Sequence, residues 1–204
     1  MELKQKYAIN GIILYVISTI FISYLSFKSI IHPSTWNALF WIILLFASIN
    51  AVAKSFMQEN KGRQLYLYTL ASAEAVIISK IIYNIILMNV LSLLCLGFYS
   101  LFIGNIIQDM MLFLIVLFLA SIGFSSVLTL VSAIASKTNN NFSLMAILSF
   151  PIIVPLLITI IKVSKNAIDG LSISVSYNYL LVLFLLNIIV ITLSYVLFPY
   201  LWRD

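Results

Sequence analysis

The chain contains 204 residues, of which 63% are hydrophobic and only 8% are charged. Soluble domains carry about 25% charged residues and roughly half apolar ones, and a globule of this size cannot hide so much apolar surface from water. The composition therefore excludes a soluble enzyme and predicts one all-α domain of the polytopic membrane class over residues 1–204, surrounded by a lipid bilayer. The formal net charge of +5 does not indicate nucleic-acid binding, because the basic residues lie at the ends of apolar runs.

Six apolar runs are long enough to cross the hydrocarbon core of a bilayer, which takes roughly 20 helical residues. The first run follows Lys4 and Lys6, as the apolar part of a secretory signal would. It is longer than such a segment and no cleavage site of small residues follows, so we expect a retained helix. The predicted transmembrane helices cover residues 7–29, 36–53, 76–103, 110–135, 142–161 and 177–201, and a polar cytoplasmic loop covers 54–75.

The start of the second helix carries several local signals. Pro33 disfavours helical backbone at the residue before it, and Ser34 or Thr35 is expected to cap the helix. Trp36 and Trp41 follow at the depth where interfacial aromatic side chains contact lipid headgroups. Before the sixth helix, the sequence predicts a polar loop that contains Lys162, Lys165, Asn166, Asp169 and Gly170.

The distribution of basic residues predicts the orientation of the chain. With the N-terminus in the cytoplasm, three basic residues face outward, namely Lys28, Lys162 and Lys165. The remaining eight face inward, which predicts that both termini are cytoplasmic. The inward-facing set is Lys4, Lys6, Lys54, Lys61, Arg63, Lys80, Lys137 and Arg203.

Three polar residues in the third helix are candidates for lining a path through the membrane. Lys80 lies about one turn inside the predicted helix, where its long side chain can snorkel to the headgroups or make a buried functional contact. Asn84 shares the helix face of Lys80, whereas Asn89 points away from Asn84. Amides within lipid need hydrogen-bond partners, and these come either from neighbouring helices or from a substrate path.

The fourth helix carries a stripe of small side chains at four-residue spacing, formed by Ser121, Ser125, Thr129 and Ala133. Small side chains let two helix backbones approach closely in a membrane. The stripe predicts helix packing, either within the chain or across a homodimer.

The fifth helix contains Pro151 and Pro155, each of which removes one intrahelical hydrogen bond. The freed carbonyl groups must find a partner or line a cavity. We expect a kink at these residues, and a hinge is one role that such a kink can have.

The sequence lacks the patterns that would support catalysis on this chain. It has no G-x-x-x-x-G-K-[ST], H-E-x-x-H or G-x-S-x-G motif, and its acidic residues lie in or near loops. His32 is the single histidine and is expected to be solvated rather than to ligate haem, and Cys95 is the single cysteine. We therefore predict no catalytic residue, no metal site and no directly bound cofactor.

The polar stretch from Phe56 to Tyr68 mixes charged residues with aromatic ones. Such a segment can dock a soluble partner at the cytoplasmic face, or it can anchor the loop on lipid headgroups. The residues that would carry docking are Phe56, Glu59, Lys61, Gly62 and Arg63.

Three stretches of the sequence resemble the CcmB-type haem exporter protein B family. In the loop after the second helix, Phe56, Glu59, Gly62 and the later Lys80 match the family pattern, although Lys61 stands where the family has an aspartate. Residues 150–158 are similar to the proline-bearing fifth helix of the family. Residues 2–8 resemble the end of its cytoplasmic N-terminal helix.

The resemblance implies an ABC-2-like export permease in the bacterial inner (cytoplasmic) membrane. It further implies a separate CcmA-type ATPase that binds ATP, a CcmC-type membrane protein that handles haem, and a role in delivering haem to c-type cytochromes. Haem is then a candidate substrate, and docking is favoured over lipid anchoring for the loop. The alternatives are a permease for drugs or polysaccharide, and a membrane scaffold for assembly factors that transports nothing.

Overall fold

A computed structural model of the protein describes residues 2–27, 32–52, 72–137 and 142–203. These residues form helices and short connections without any strand, so the predicted all-α class is confirmed over that part of the chain. The helices, in chain order, are α1 (Glu2–Ser26), α2 (Pro33–Val52), α3 (Ala73–Ile103), α4 (Met110–Lys137), α5 (Phe142–Ile168) and α6 (Ile173–Arg203).

Helices α2 to α6 are each long and apolar enough to cross a membrane, and α1 contributes a shorter apolar stretch over Asn10–Ser26. Helix α4 lies at the centre, where it packs against α2, α3, α5 and α6. In the most apolar stretch of α4, 67% of the residues are buried inside the protein, whereas only 22% are buried in the corresponding stretch of α6. A helix that is apolar on all faces needs either protein or lipid around it. Helix α4 is therefore the core of the bundle, and α6 presents most of its surface outward.

Successive helices run in opposite directions, so the connections alternate between two ends of the bundle. The Trp36 end holds the start of α2 together with the connections at 104–109 and 169–172, and Asp109 N donates to Ala167 O across it at 2.9 Å. The Ala73 end is the opposite one, where the start of α3 meets the ends of α4 and α6. Its described packing is an apolar cluster of Ala73, Val76, Ile77, Ile81, Ala133 and Phe198.

The predicted start of the polar loop before α6 is wrong. Helix α5 continues to Ile168 and includes Lys162, Lys165 and Asn166. The last two turns of α5 are amphipathic, since Val163, Ser164, Ala167 and Ile168 are buried while the two lysines are exposed. The helix stops at Gly170, whose φ of 69° suits a glycine, and Leu171 N donates to Asn166 O at 3.0 Å. The other helix ends differ from the predicted ones by five residues or fewer.

The cap of α2 also differs from the prediction. His32, rather than Ser34 or Thr35, is the N-cap residue, because its carbonyl oxygen accepts from Trp36 N at 3.0 Å and its Nδ1 accepts from Ser34 N at 3.3 Å. Pro33 then occupies the first helical position, where its missing N–H costs nothing. The exposed His32 ring thus has a structural role that the sequence did not indicate.

Candidate functional site

A seam of polar side chains joins α3 to α4 inside the bundle. Asn84 Nδ2 donates to Thr129 Oγ1 at 2.8 Å, and Thr129 Oγ1 donates to Ser125 O at 2.5 Å. Further along, Ser121 Oγ lies 3.0 Å from Ser92 Oγ. All five residues are buried. The small-residue stripe of α4 therefore faces α3 within the same chain, and we call this group of five the α3–α4 seam.

The three candidate path residues all lie on α3 and differ in their surroundings. Asn84 faces α4 in the seam, whereas Asn89 Nδ2 donates to Ile85 O of its own helix at 2.9 Å. Lys80 is half-buried and lies seven residues after Ala73, roughly 10 Å into α3 and two turns rather than one from its start. The structure thus uses Asn84 in helix packing, and Lys80, four residues before it, lies on the same side of α3.

An apolar groove of about 250 Å³ lies between α1 and α3. Tyr83 is the one residue with a polar side-chain group among those that line it, and none of Lys80, Asn84 or Asn89 does so. The groove opens toward the surroundings of the bundle, where acyl chains would be its neighbours. The lining residues are Ile12, Ile13, Tyr83, Ile86, Leu87, Val90, Leu91 and Leu94.

Both prolines of the fifth helix lie inside α5, which continues through them. Pro151 and Pro155 are exposed at the surface of the bundle. Thr159 Oγ1 donates to Pro155 O at 2.9 Å, which adds a side-chain bond at the second proline. The two prolines therefore lie on the exposed surface of α5.

A junction of three helices surrounds Gly123 of α4, which the sequence analysis did not single out. A Cβ at Gly123 would overlap Leu156 Cδ1 of α5 and would lie 2.7 Å from Asn187 Oδ1 of α6. Asn187 Nδ2 donates to Leu119 O at 3.0 Å, while its Oδ1 has no hydrogen-bond partner among the described residues. The sequence signal for this contact was Asn187 itself, a single amide among the aliphatic residues of the sixth helix.

A second group that sequence reasoning missed joins α2 to α5 near the Trp36 end. Trp41 Nε1 lies 2.9 Å from Asn37 Oδ1 and 2.8 Å from Ser164 Oγ, and Asn37 Nδ2 donates to Ile161 O at 3.0 Å. These side chains are buried, so the prediction that Trp41 contacts lipid headgroups is wrong. We call Asn37, Trp41 and Ser164 the α2–α5 clasp.

Trp36 is also buried, 1% exposed, and the interfacial position predicted for it is likewise wrong. Its Nε1 donates to Gly104 O at 3.0 Å, and its carbonyl oxygen accepts from Tyr99 OH at 2.9 Å. The indole rings point into the protein because they find hydrogen-bond partners there. Trp36, Phe40, Trp41, Tyr99 and Phe113 form one aromatic cluster.

The residues proposed to dock a partner lie outside the described part of the chain, namely Phe56, Glu59, Lys61, Gly62 and Arg63. Their segment leaves α2 at Val52 and rejoins the bundle at Ser72, whose Oγ accepts from Ala75 N at 3.3 Å. The segment is thus attached at the Ala73 end. Within the described ranges, no group of three or more His, Cys, Asp or Glu residues could hold a metal ion.

The family model described as CcmB protein matches residues 28–198. The chain belongs to the CcmB family. This confirms the resemblance seen in the sequence. The match covers helices α2 to α5 and α6 as far as Phe198, while residues 2–8 lie outside it. No curated protein and no solved structure matches the chain.

Membership in the CcmB family indicates the broad functional class of the chain. The CcmB family is one of transporter permease subunits rather than enzymes, and it suggests the membrane component of the haem-export ABC system in cytochrome c biogenesis. Together with the apolar helices, it supports a multi-pass membrane protein.

Proposed function

We propose that this CcmB-family chain is the permease subunit of an ATP-driven complex that delivers haem for the maturation of c-type cytochromes. The observation that carries the proposal is the family match over residues 28–198. The sequence contains no nucleotide-binding motif of its own, so ATP hydrolysis belongs to a separate CcmA-type subunit. A CcmC-type haem-handling protein is the further partner, and haem is the candidate cargo.

The proposed orientation puts the Ala73 end in the cytoplasm of a bacterial cell, with both termini on that side of the inner membrane. The distribution of the basic residues supports this orientation. The same end receives the connections at 53–71 and 138–141 and the end of α6. An ATPase bound there would contact three parts of the bundle, and Phe56, Glu59, Lys61, Gly62 and Arg63 are the residues we assign to its docking.

We further propose that ATPase movement at this loop is transmitted to α3 and α5. Pro151 and Pro155 act as the hinge of α5 in this scheme, since each interrupts the hydrogen bonds that stiffen a helix. Lys80, Asn84 and Asn89 would contact the path of the cargo when α3 shifts against α4. The buried α3–α4 seam supports a packing role for Asn84 in the described conformation, so a path role requires that the seam opens.

Charge reversal at the docking loop tests the assignment. Lys61→Glu with Arg63→Glu should abolish co-purification of the ATPase with the chain from native membranes. The matched control is Lys162→Glu with Lys165→Glu, which makes the same charge change on α5 near the Trp36 end and should leave the complex intact. Undiminished ATPase recovery with the loop variant would contradict docking at these residues.

Complementation separates the proposed function from its alternatives. Cells that lack the chain should lose covalently bound haem in their c-type cytochromes, and the wild-type chain should restore it. If cells that lack the chain still attach haem to their c-type cytochromes normally, the chain would be a permease for another cargo. Restored maturation by a complex whose ATPase cannot hydrolyse ATP would indicate a scaffold.

A further inference from the structure

Asn187 of α6 brings an amide group into the interior of the bundle, and only part of that amide is hydrogen-bonded. Its side chain is 3% exposed, and Nδ2 donates to Leu119 O of α4 at 3.0 Å. Its Oδ1 has no partner among the described residues. A buried acceptor without a donor raises the energy of the arrangement that contains it. An arrangement that supplies a donor would therefore suit Asn187 better.

The nearest parts of α6 and α4 offer few donors for this oxygen. The residues three and four positions away on α6 have no polar side-chain group, and they are Leu183, Phe184, Val190 and Ile191. On α4, the residues next to Gly123 toward the Trp36 end are apolar as well, namely Val116, Leu119 and Ala120. A side-chain donor on this side of α4 therefore has to come from beyond Gly123, toward the Ala73 end.

Ser126 is the hydroxyl residue in that direction. It follows Gly123 by three residues, so the two are neighbours on the surface of α4, and it is fully buried. Its Oγ donates to Ile122 O at 2.8 Å. The same carbonyl oxygen is the helical acceptor of the Ser126 N–H. The hydroxyl group can therefore turn to another acceptor without leaving Ile122 O unpaired.

Gly123 leaves the surface of α4 open between Leu119 O and Ser126. A Cβ at Gly123 would overlap Leu156 Cδ1 and would lie 2.7 Å from Asn187 Oδ1. Any side chain at this position would therefore obstruct an amide that moves along α4. A glycine beside a half-bonded amide, with a hydroxyl residue one turn further on, suits a contact that can adopt two positions.

We propose that α6 has a second position along α4, in which Asn187 Oδ1 accepts a hydrogen bond from Ser126 Oγ. Helices α4 and α6 run in the same direction, so α6 would shift toward the Ala73 end by less than one helical turn, that is by less than about 5 Å. The inference rests on the proposed function for the source of the movement, which is the ATPase.

Such a shift would reach the end of the bundle where the ATPase is proposed to bind. Asn187 and Phe198 belong to one continuous helix. Phe198 packs against Ala73 and Val76 at the start of α3, next to Ser72, where the segment at 53–71 rejoins the bundle. Movement of α3 at this end and movement of α6 along α4 are therefore coupled through Phe198.

A distance measurement along the bundle tests the second position. Spin labels are attached through Met111→Cys on α4 and Tyr200→Cys on α6, two exposed sites at opposite ends, in a Cys95→Ala chain. The labelled sites lie about 37 Å apart along the bundle. In the lipid-reconstituted complex, ATP should add a second distance, longer by up to about 5 Å. A single distance that ATP leaves unchanged would overturn the proposal.

Two adjacent serines provide a matched pair of variants. Ser125 and Ser126 are both fully buried, and both donate to Ile122 O, at 2.9 and 2.8 Å. Ser125 belongs to the α3–α4 seam, whereas Ser126 is the neighbour of Gly123. Ser126→Ala should remove the longer distance, and Ser125→Ala should retain it at a similar unfolding temperature. The proposal is contradicted if the longer distance persists in Ser126→Ala or disappears equally in both variants.

Thr159 of α5 is the competing donor, because it follows Leu156 by three residues and its Oγ1 donates to Pro155 O. Thr159→Val should retain the longer distance. If Thr159→Val removes it and Ser126→Ala does not, Ser126 is not the donor and the proposal is wrong.

The proposed function and this inference fail separately. If the complex is intact and supports cytochrome maturation but shows one distance, the proposed function stands and the contact at Gly123 is static. If the wild-type chain purifies without an ATPase, the proposed function is wrong. The labelled chain is then measured alone, and the absence of a second distance that depends on Ser126 would overturn the inference as well.

Discussion

The contacts described at the two ends of the bundle differ in kind. At the Trp36 end, Trp36 Nε1 bonds to Gly104 O, Asp109 N bonds to Ala167 O, and the α2–α5 clasp lies close by. The packing described at the Ala73 end is an apolar cluster of small and aliphatic side chains around Phe198. Among the described contacts, hydrogen bonds between helices stand out at the Trp36 end and apolar packing around Phe198 stands out at the Ala73 end.

This difference agrees with the proposed direction of force. An ATPase at the Ala73 end would act on the end that carries the connection between α2 and α3, and the hydrogen-bonded Trp36 end lies opposite it. We expect the largest loss of stability when the α2–α5 clasp near the Trp36 end is removed. A change at the three-helix junction around Gly123 should cost less, and a change in the α3–α4 seam should cost least. Three predictions follow this order.

The largest effect is expected for Trp41→Ala. The substitution removes a fully buried ring and leaves Asn37 and Ser164 without their shared indole donor. We expect a loss of about 3 kcal/mol in the free energy of unfolding, the low end for a buried aromatic residue, because lipid rather than water surrounds the bundle. Unfolding in detergent monitored by circular dichroism measures the loss.

Two further variants locate the source of that effect. Trp41→Phe keeps the ring and removes only the N–H, so it should cost about 1 kcal/mol. Phe46→Ala, at an exposed aromatic residue of the same helix, should cost least. An equal loss for Trp41→Phe and Phe46→Ala would show that the α2–α5 clasp does not hold the Trp36 end.

The intermediate effect is expected for Gly123→Ala. The added methyl group would overlap Leu156 and crowd Asn187, and such overpacking costs about 1–3 kcal/mol. Gly97→Ala is the matched control, because a Cβ at Gly97 meets nothing within 4 Å. It should not destabilise, and should stabilise α3 by up to about 1 kcal/mol. Thermal unfolding of both variants in detergent measures the difference, and a Gly123→Ala variant as stable as Gly97→Ala would mean that α5 and α6 are not held against α4 there.

These cases show what the sequence could and could not predict. Runs of apolar residues predicted the helices, because length and composition alone decide whether a segment can cross a bilayer. The end of α5 was mispredicted because Lys162, Lys165 and Asn166 suggest a loop by composition, while the buried Val163, Ser164 and Ala167 between them have helical spacing. Periodicity was the better signal there.

The candidate site was harder to predict than the fold. Trp36 and Trp41 fit the interface of a membrane by residue type, yet their burial depends on Gly104 and Ser164, which are distant in sequence. Asn187 and Gly123 become partners only through the packing of α4 against α6. Such pairs depend on tertiary contacts, whereas the four-residue stripe of α4 is local and its use in packing could be read from spacing.

The smallest effect is expected in the α3–α4 seam, and it decides between packing and a path role for Asn84. A double-mutant cycle of Asn84→Leu and Thr129→Val isolates the hydrogen bond between the two side chains. Interhelical bonds of this kind contribute about 0.6 kcal/mol in membranes, so the coupling in unfolding free energy should be near that value.

Cytochrome maturation in cells that carry each variant is the second measurement for this cycle. If the seam only packs the helices, Asn84→Leu and Thr129→Val should both reduce cytochrome maturation by small amounts, since both remove the bond between the two side chains. If the seam opens and Asn84 contacts cargo, Asn84→Leu should reduce maturation far more than Thr129→Val at equal stability. Equal effects of the two variants would show that Asn84 does not contact cargo and that its role is to pack α3 against α4.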